Sequence, residues 1–166
     1  CVLPAHECKR QGLPTLTPTS DRGHLVEEFN RILIQSCEAV EEREVEGLTP
    51  KVDLLPFEEA KLYGHNAVHL WLGLHALERG AEDMHELGYE PALINECRSM
   101  FVNEIGAALC SKWIGVDRLF TSVGFEEYAD DLLARMVNPV LNDRVDRVCR
   151  DLERKLEWDD RLIGAM

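Results

Sequence analysis

The stretch Lys61-Leu-Tyr-Gly-His-Asn-Ala-Val-His69 opens the longest uncharged run of the chain, because no Asp, Glu, Lys or Arg occurs between Lys61 and Glu78. At 100° per residue, an α-helix would place Lys61, Asn66 and His69 within an arc of about 140°. One helix face would then carry an amine, a carboxamide and an imidazole. A lysine at the mouth of an apolar helix can lose its charge and act as a base.

Helical patterns extend to both sides of this stretch. Pro56 precedes a first turn that contains Glu58, and Gly80 follows Arg79 as a C-terminal stop, which predicts a helix from about 56 to 79. Apolar spacing predicts two more helices at about 91–113 and 124–136. A fourth is predicted from about residue 142, with Val145, Val148, Leu152 and Leu156 on one face.

The first 55 residues are less regular. Residues 1–23 are rich in Pro, Gly, Thr and Ser and are predicted to form a loop. Residues 24–36 suit either a helix or a strand, and Thr49-Pro50 is predicted to be a turn. No G-x-G-x-x-G follows a strand and no strands alternate with helices, so nothing predicts a dinucleotide-binding sheet.

Composition narrows the class of protein. The 166 residues suffice for one domain, and a net charge of −13 opposes binding to nucleic acid or to anionic lipid. Six cysteines form no CxxC pair, which favours a reducing cytoplasm. The uncharged run is too short and too polar to span a bilayer. The chain begins at Cys1 without an initiating Met and is interpreted as a fragment or a single domain.

A metal site is a weaker hypothesis. His65 and His69 have the i, i+4 spacing that can bind zinc, and His75 follows. However, the H-E-x-x-H signature is absent because Asn66 replaces its Glu. Cys1, His6 and Cys8 could also bind a metal, but they lie at a loose terminus. We therefore expect no metal site.

Several motifs around the uncharged run occur in a recognisable order. They are Leu54-Leu-Pro-Phe-Glu-Glu-Ala-Lys61, the K-x4-N-x2-H stretch itself, Arg135-Met-Val-Asn-Pro139, Asp143-Arg-Val-Asp-Arg-Val148, Lys155-Leu156 and Asp160-Arg-Leu162. This order resembles the polyol-specific long-chain dehydrogenases, the family of mannitol 2-dehydrogenase and mannitol-1-phosphate 5-dehydrogenase. The resemblance covers roughly residues 24–166. Met136 stands where the family's RF-x-NP motif has Phe.

The resemblance implies a fold. It implies a mainly α-helical C-terminal domain of the 6-phosphogluconate dehydrogenase-like type, with a small β element near the N-terminus. Residues 1–55 would form an irregular lead-in with a short strand, and residues 56–166 the helical substrate-binding and catalytic domain.

The resemblance also implies a reaction. The domain would belong to an NAD(P)-dependent oxidoreductase that interconverts a polyol or hexitol phosphate and its ketose, of the mannitol-1-phosphate and fructose-6-phosphate type. Lys61 would be the general base, so its pKa of about 10.4 must fall, which burial would favour. Asn66 and His69 would polarise the reacting oxygen. Glu58 is either a helix N-terminal charge or a proton relay from Lys61.

Substrate contacts are expected from two further residues. Arg135 matches the arginine of the RF-x-NP motif, and Lys155 is the second candidate. Arg144, Arg147, Arg150 and Arg154 form a stripe that is either a solvated face paired with aspartates or a partial contact to sugar hydroxyls or a phosphate. The small Gly73 and Ala76 would leave space beneath the site.

NAD or NADP would be bound mainly by an N-terminal Rossmann domain absent from this chain, so we expect the chain alone to be inactive. Two alternatives stay open. The substrate could be a sugar acid of the altronate or fructuronate type, and the domain could be a noncatalytic helical interaction module that retains the fold.

Overall fold

The structure of the chain, a computed structural model, describes residues 32–37 and 45–165. The loop predicted at 1–23, with Cys1, His6 and Cys8, lies outside the described residues.

Two short strands precede the helices. Strand β1 (Ile32–Gln35) pairs in parallel with β2 (Leu48–Lys51), with Ile34 opposite Pro50. The small β element predicted near the N-terminus is therefore confirmed. The turn predicted at Thr49-Pro50 is wrong, because both residues belong to β2. Proline is tolerated there because an edge strand leaves backbone donors unpaired on one side.

The first helix, α1, contains a π-helical turn. It is α-helical over Leu55–Glu59, π-helical over Ala60–Asn66 and α-helical again over Ala67–Arg79. It ends at Gly80, which has a φ of 71°, so the C-terminal stop predicted at this glycine is confirmed. The π turn spans Lys61 and Asn66. Such turns are rare and often occur at functional sites.

Helix α2 also has a π-helical centre. It runs through Pro91–Met100, the π-helical Phe101–Gly106 and Ala107–Lys112. The π turns of α1 and α2 meet at Gly64, where an added Cβ would lie 3.0 Å from Cε2 of Phe101. The Phe101 ring packs edge-on against Phe125 and Tyr128. Glycine at this position thus lets an aromatic cluster reach the backbone of α1.

Helix α3 (Ser122–Met136) closes the core against α1 and α2. It begins at Thr121, whose hydroxyl accepts a hydrogen bond of 3.0 Å from the backbone N–H of Gly124. Its buried face comprises Phe125, Ala129, Leu132, Leu133 and Met136. The mainly helical architecture predicted from the sequence is confirmed.

The continuous fourth helix predicted from about residue 142 is wrong. The structure has two single turns, α4 (Val145–Val148) and α5 (Leu152–Lys155), separated by Asp151 in the left-handed region at φ 56°. Aspartate adopts this conformation more readily than most residues. Leu156 is 45% exposed, so the predicted apolar stripe does not run the whole length.

Gly73 brings α4 against α1. An added Cβ at Gly73 would lie 2.6 Å from Cγ1 of Val148. The space expected beside Gly73 is therefore filled by a valine of this chain, and that expectation is corrected.

Short 3-10 segments connect the helices at Met84–Tyr89, Arg118–Phe120 and Pro139–Leu141, and another, Ile163–Ala165, follows α5. The backbone N–H of Met84 donates to the carbonyl of Asp143 at 2.8 Å, and that of Val145 donates to Glu82 at 3.0 Å. These bonds fix Asp143 beside α1. Within the described ranges, no helix has the length and apolar character needed to cross a membrane.

Candidate active site

A groove of about 550 Å³ lies beside the first half of α1. Strand β1 and Phe57 line it together with Leu132 of α3, so its walls are largely apolar. Glu58, Lys61 and Arg135 contribute the charged groups. Three of the predicted site residues thus share one groove.

Lys61 itself is exposed at the groove. The burial expected for its amine is not supplied by the described part of this chain. Glu58, three residues earlier, is also exposed and lines the same groove.

A second, smaller cavity of about 120 Å³ adjoins the other predicted residues. Asn66 and His69 of α1 line it, facing Lys155 of α5. Arg147 and Arg161 complete its polar lining. Of the three side chains predicted on one helix face, Lys61 therefore lines the groove, and Asn66 and His69 line the smaller cavity.

His65 lies between the groove and the cavity. It lines the groove, and its ring centroid is 5.9 Å from that of His69, which lines the cavity. Burial lowers the pKa of His65 to about 4, and the charges of His69, Arg135 and Lys61 act in the same direction, while Asp143 opposes them. His65 is therefore a neutral ring at neutral pH.

His69 is held by a carboxylate from outside α1. Its Nε2 lies 2.8 Å from Oδ2 of Asp143, a distance suited to an ion pair, although the ring N–H is misaligned for a full hydrogen bond and finds no other partner among the described residues. Arg147 donates from Nε to Oδ1 of Asp143 at 2.9 Å. Burial favours the neutral carboxyl, but His69 and Arg147 outweigh it, so the pKa of Asp143 lies below its usual value.

Lys155 is the most deeply placed charge of the cavity, with 8% of its surface exposed. Its Nζ donates a hydrogen bond of 2.9 Å to the carbonyl of Val148. Burial, together with the charges of Arg161 and Arg154, lowers the pKa of the Lys155 amine. Arg161 donates from Nε to Oδ1 of Asp160 at 2.8 Å.

Arg135 of α3 lines the groove together with Lys61. Its Nη1 is 3.6 Å from Oδ2 of Asp131, one turn earlier on α3. Beside it, the Tyr128 hydroxyl donates to the carbonyl of Ala60 at 3.3 Å, at the start of the π turn. Burial raises the pKa of Tyr128, so this phenol stays protonated.

The arginine stripe predicted at 144–154 is largely a solvated face. Arg144 is half-exposed near Glu82 and Asp83, and Arg154 pairs with Asp160 at 3.1 Å. Only Arg147 among these arginines also lines the cavity.

A grouping of three or more His, Cys, Asp and Glu side chains suited to a metal ion does not occur among residues 32–37 and 45–165. The described cysteines Cys37, Cys97, Cys110 and Cys149 are free thiols.

Sequence reasoning missed three residues of this region. Tyr128, Asp143 and Arg161 were given no place in the site, although two of them stand inside the motifs at 143–148 and 160–162. The i, i+4 spacing of Asp143 and Arg147 signals their pairing. The approach of Asp143 to His69 is a long-range contact, which no local pattern reports.

Comparison with known proteins now identifies the domain. Residues 53–166 match the family model described as the mannitol dehydrogenase C-terminal domain. The chain belongs to this family, so the resemblance found in the sequence is confirmed.

Two relatives illustrate the similarity. The chain is 31% identical over 141 residues to a mannitol-1-phosphate 5-dehydrogenase of Brevibacillus brevis, an alignment that covers 84% of this chain and 35% of the relative. It is 31% identical over 120 residues to a mannitol-1-phosphate 5-dehydrogenase of Aureobasidium melanogenum, covering 72% of this chain and 30% of the relative. The chain therefore spans about a third of the length of these relatives.

Proposed function

We propose that residues 56–166 form the substrate-binding and catalytic domain of an NAD(P)-dependent oxidoreductase that interconverts a polyol or hexitol phosphate and its ketose. The observation that carries this proposal is the grouping of Lys61, Glu58 and Arg135 in one groove, next to the cavity lined by Asn66 and His69. The names of the related enzymes, each printed as a mannitol-1-phosphate 5-dehydrogenase, point in the same direction.

Lys61 acts as the general base in this proposal. Oxidation of a secondary alcohol removes a hydride from carbon and a proton from the hydroxyl, and the Lys61 amine takes the proton. Because Lys61 is exposed here, a neighbouring domain that covers the groove would complete the burial that favours a neutral amine. Glu58 at the same groove then passes the proton to solvent.

Asn66 and His69 hold the reacting oxygen. Both are hydrogen-bonding groups on the cavity wall next to His65, and a fixed donor stabilises the negative charge that develops on an alkoxide. Asp143 restrains the His69 ring from the side, so less reorganisation is needed during the reaction. Arg135 and Lys155 bind the substrate from opposite ends, one in the groove and one in the cavity.

When bound, a nicotinamide supplies the hydride acceptor. The residues present fit only the reacting end of such a cofactor. The apolar wall formed by Phe57 and Leu132 suits a planar ring, but the described residues contain no glycine-rich turn before a helix that could hold a pyrophosphate. The proposal therefore assigns the nucleotide mainly to an N-terminal domain beyond this chain, and the chain alone is expected to be inactive.

We also propose that the enzyme works in the cytoplasm. The described cysteines are free thiols, and three of them, Cys97, Cys110 and Cys149, pack in or against the core, as is usual in a reducing compartment.

The test is an assay of the protein that contains this chain together with its nucleotide-binding domain. Hexitols, hexitol phosphates and sugar acids are compared with NAD and NADP. The Lys61→Met variant is expected to lower kcat by at least about 10², the scale for losing a general base.

The matched control is Lys112→Met, because Lys112 is an exposed lysine that pairs with Glu59 outside the groove. The control should keep normal turnover. Normal turnover in Lys61→Met would remove Lys61 from the role of base. No oxidation of any of these substrates by the unaltered protein would favour the noncatalytic interaction module.

A further inference from the structure

The cavity next to His69 is unusually rich in positive charge for an acidic protein. Of the 166 residues, 31 are Asp or Glu and 18 are Lys or Arg. Yet the cavity is lined by Arg147, Lys155 and Arg161, and none of the described residues that line it is acidic. Local charge is thus opposite in sign to the charge of the chain.

Lys155 is the least expected of these groups. A lysine is rarely buried without a carboxylate partner. Here Lys155 is buried, with 8% of its surface exposed, and its amine donates its hydrogen bond to the neutral carbonyl of Val148. An ammonium has three donors, so two directions are left for a ligand in the cavity.

The two arginines line the cavity and also bind carboxylates. Arg147 binds Asp143 and Arg161 binds Asp160. A guanidinium has five N–H donors, and a planar fork suits oxyanions. The charge of Arg161 contributes to the lowered pKa of Lys155, and an anion bound between the two side chains would raise that pKa again.

We propose that this cavity binds an anionic group at one end of the substrate, with Lys155 and Arg161 as the main donors. Space of about 120 Å³ is ample for a tetrahedral or planar oxyanion, since about 10–15 Å³ already holds a water molecule. Arg147, tied to Asp143, supplies the outer wall.

This inference rests on the proposed function for the other end of the substrate. Asn66 and His69 line the cavity and adjoin the groove through His65, so a substrate held there presents its hydroxyl-bearing carbons toward Lys61. The ligand is then an acyclic polyhydroxy compound with a terminal oxyanion. A phosphate ester and a carboxylate are the two sources of that charge.

The experiment measures anion binding without cofactor or turnover. The 166-residue chain is titrated with inorganic phosphate and, separately, with acetate at constant ionic strength, and the Kd is obtained from NMR shifts. We expect Lys155→Met and Arg161→Gln each to raise the Kd by at least about tenfold, the effect of losing one charge-assisted hydrogen bond. Arg150→Gln is the control, because Arg150 is exposed in the same segment outside the cavity.

Stronger binding of phosphate identifies a phosphate ester as the substrate end, and stronger binding of acetate identifies a carboxylate. No binding of either anion, or equal binding by the variants and the control, overturns the proposal. Arg161→Gln keeps the test decisive if Lys155→Met unfolds.

A second measurement uses the full-length enzyme. The ratio of kcat/KM for a hexitol phosphate to that for the free hexitol should fall at least about tenfold in Arg161→Gln and stay unchanged in Arg150→Gln. An unchanged ratio in Arg161→Gln, with the corresponding sugar acid also unaffected, contradicts the anion site. Loss of turnover in Lys61→Met is a separate result, so either proposal can fail without the other.

Discussion

The Nε2 atom of His69 lies 2.8 Å from Oδ2 of Asp143, joining the uncharged helix to a segment far along the sequence. The same carboxylate accepts from Arg147 through its other oxygen, and the backbone carbonyl of Asp143 accepts from Met84. One aspartate thus links a predicted site histidine, the arginine face and the 3-10 segment that follows α1.

Replacing Asp143 should lower the free energy of unfolding by an amount that depends on pH. Because the pKa of Asp143 is lower in the folded chain than the ordinary 3.8, its contribution is fully present above that value and is lost as the pH falls through the folded pKa. Asp143→Asn should lower the free energy of unfolding by about 2 kcal/mol at pH 7. Urea unfolding at pH 7 and pH 3 measures this, and a difference from wild type that stays constant over that range would contradict it.

His65 should make stability depend on pH in a different window. Its folded pKa of about 4 lies below the unfolded 6.5, so the unfolded chain binds the proton more readily between these values. Stability should be full above about pH 6.5 and fall by about 2–3 kcal/mol as the pH drops to 4.

The matched variants are His65→Gln and His85→Gln. Denaturant unfolding between pH 4 and 7 should show a flatter pH profile for His65→Gln and the wild-type profile for His85→Gln. An imidazole NMR titration of His65 with a midpoint near 6.5 would refute the prediction.

Gly73→Ala tests the close approach of α4 to α1. Alanine favours a helix over glycine by up to about 1 kcal/mol, but its Cβ would lie 2.6 Å from Cγ1 of Val148 and 3.2 Å from Sγ of Cys149. We expect a net loss of about 1–3 kcal/mol, because overpacking a buried contact displaces its neighbours. The control is Gly88→Ala, whose nearest atom is 3.5 Å away, and equal unfolding midpoints for the two variants would disprove the clash.

Glu59 joins α1 to the end of α2. Its carboxylate accepts from the Lys112 amine and from the Trp113 indole N–H, both at 2.8 Å, and its side chain is 15% exposed. Glu59→Ala should lower the free energy of unfolding by about 1–3 kcal/mol, because the indole donor loses its partner. Thermal unfolding followed by tryptophan fluorescence checks this, with the exposed Glu96→Ala as the control. Identical Tm values would show that the contact contributes nothing.

Local signals predicted the helices well. Pro56 and Gly80 mark the first helix close to its true ends at Leu55 and Arg79, because a proline near the first turn and a left-handed glycine stop are local effects. Pro91 likewise marks the start of α2. The order of the first three helices could therefore be predicted from the sequence alone.

The geometry of the site could not be predicted from the sequence. The arc of about 140° expected for Lys61, Asn66 and His69 assumes a regular α-helix, and the π turn over Ala60–Asn66 changes it. That turn accompanies the contact of Gly64 with Phe101, a long-range packing effect. The contact of Asp143 with His69 likewise joins segments that are far apart in the sequence.

The π turn at Ala60–Asn66 amounts to one residue inserted into a regular coil. Every side chain beyond it is turned back by about 100° relative to an unbroken helix, which is the rotation of a single residue. Asn66, inside the turn, and His69, beyond it, line the cavity, whereas Lys61 and His65 line the groove. A chain shortened by one residue in this turn would rotate His69 away from Asp143 while leaving its helix intact. The spacing of the motif therefore determines the direction in which the His69 side chain points as well as its distance from Lys61.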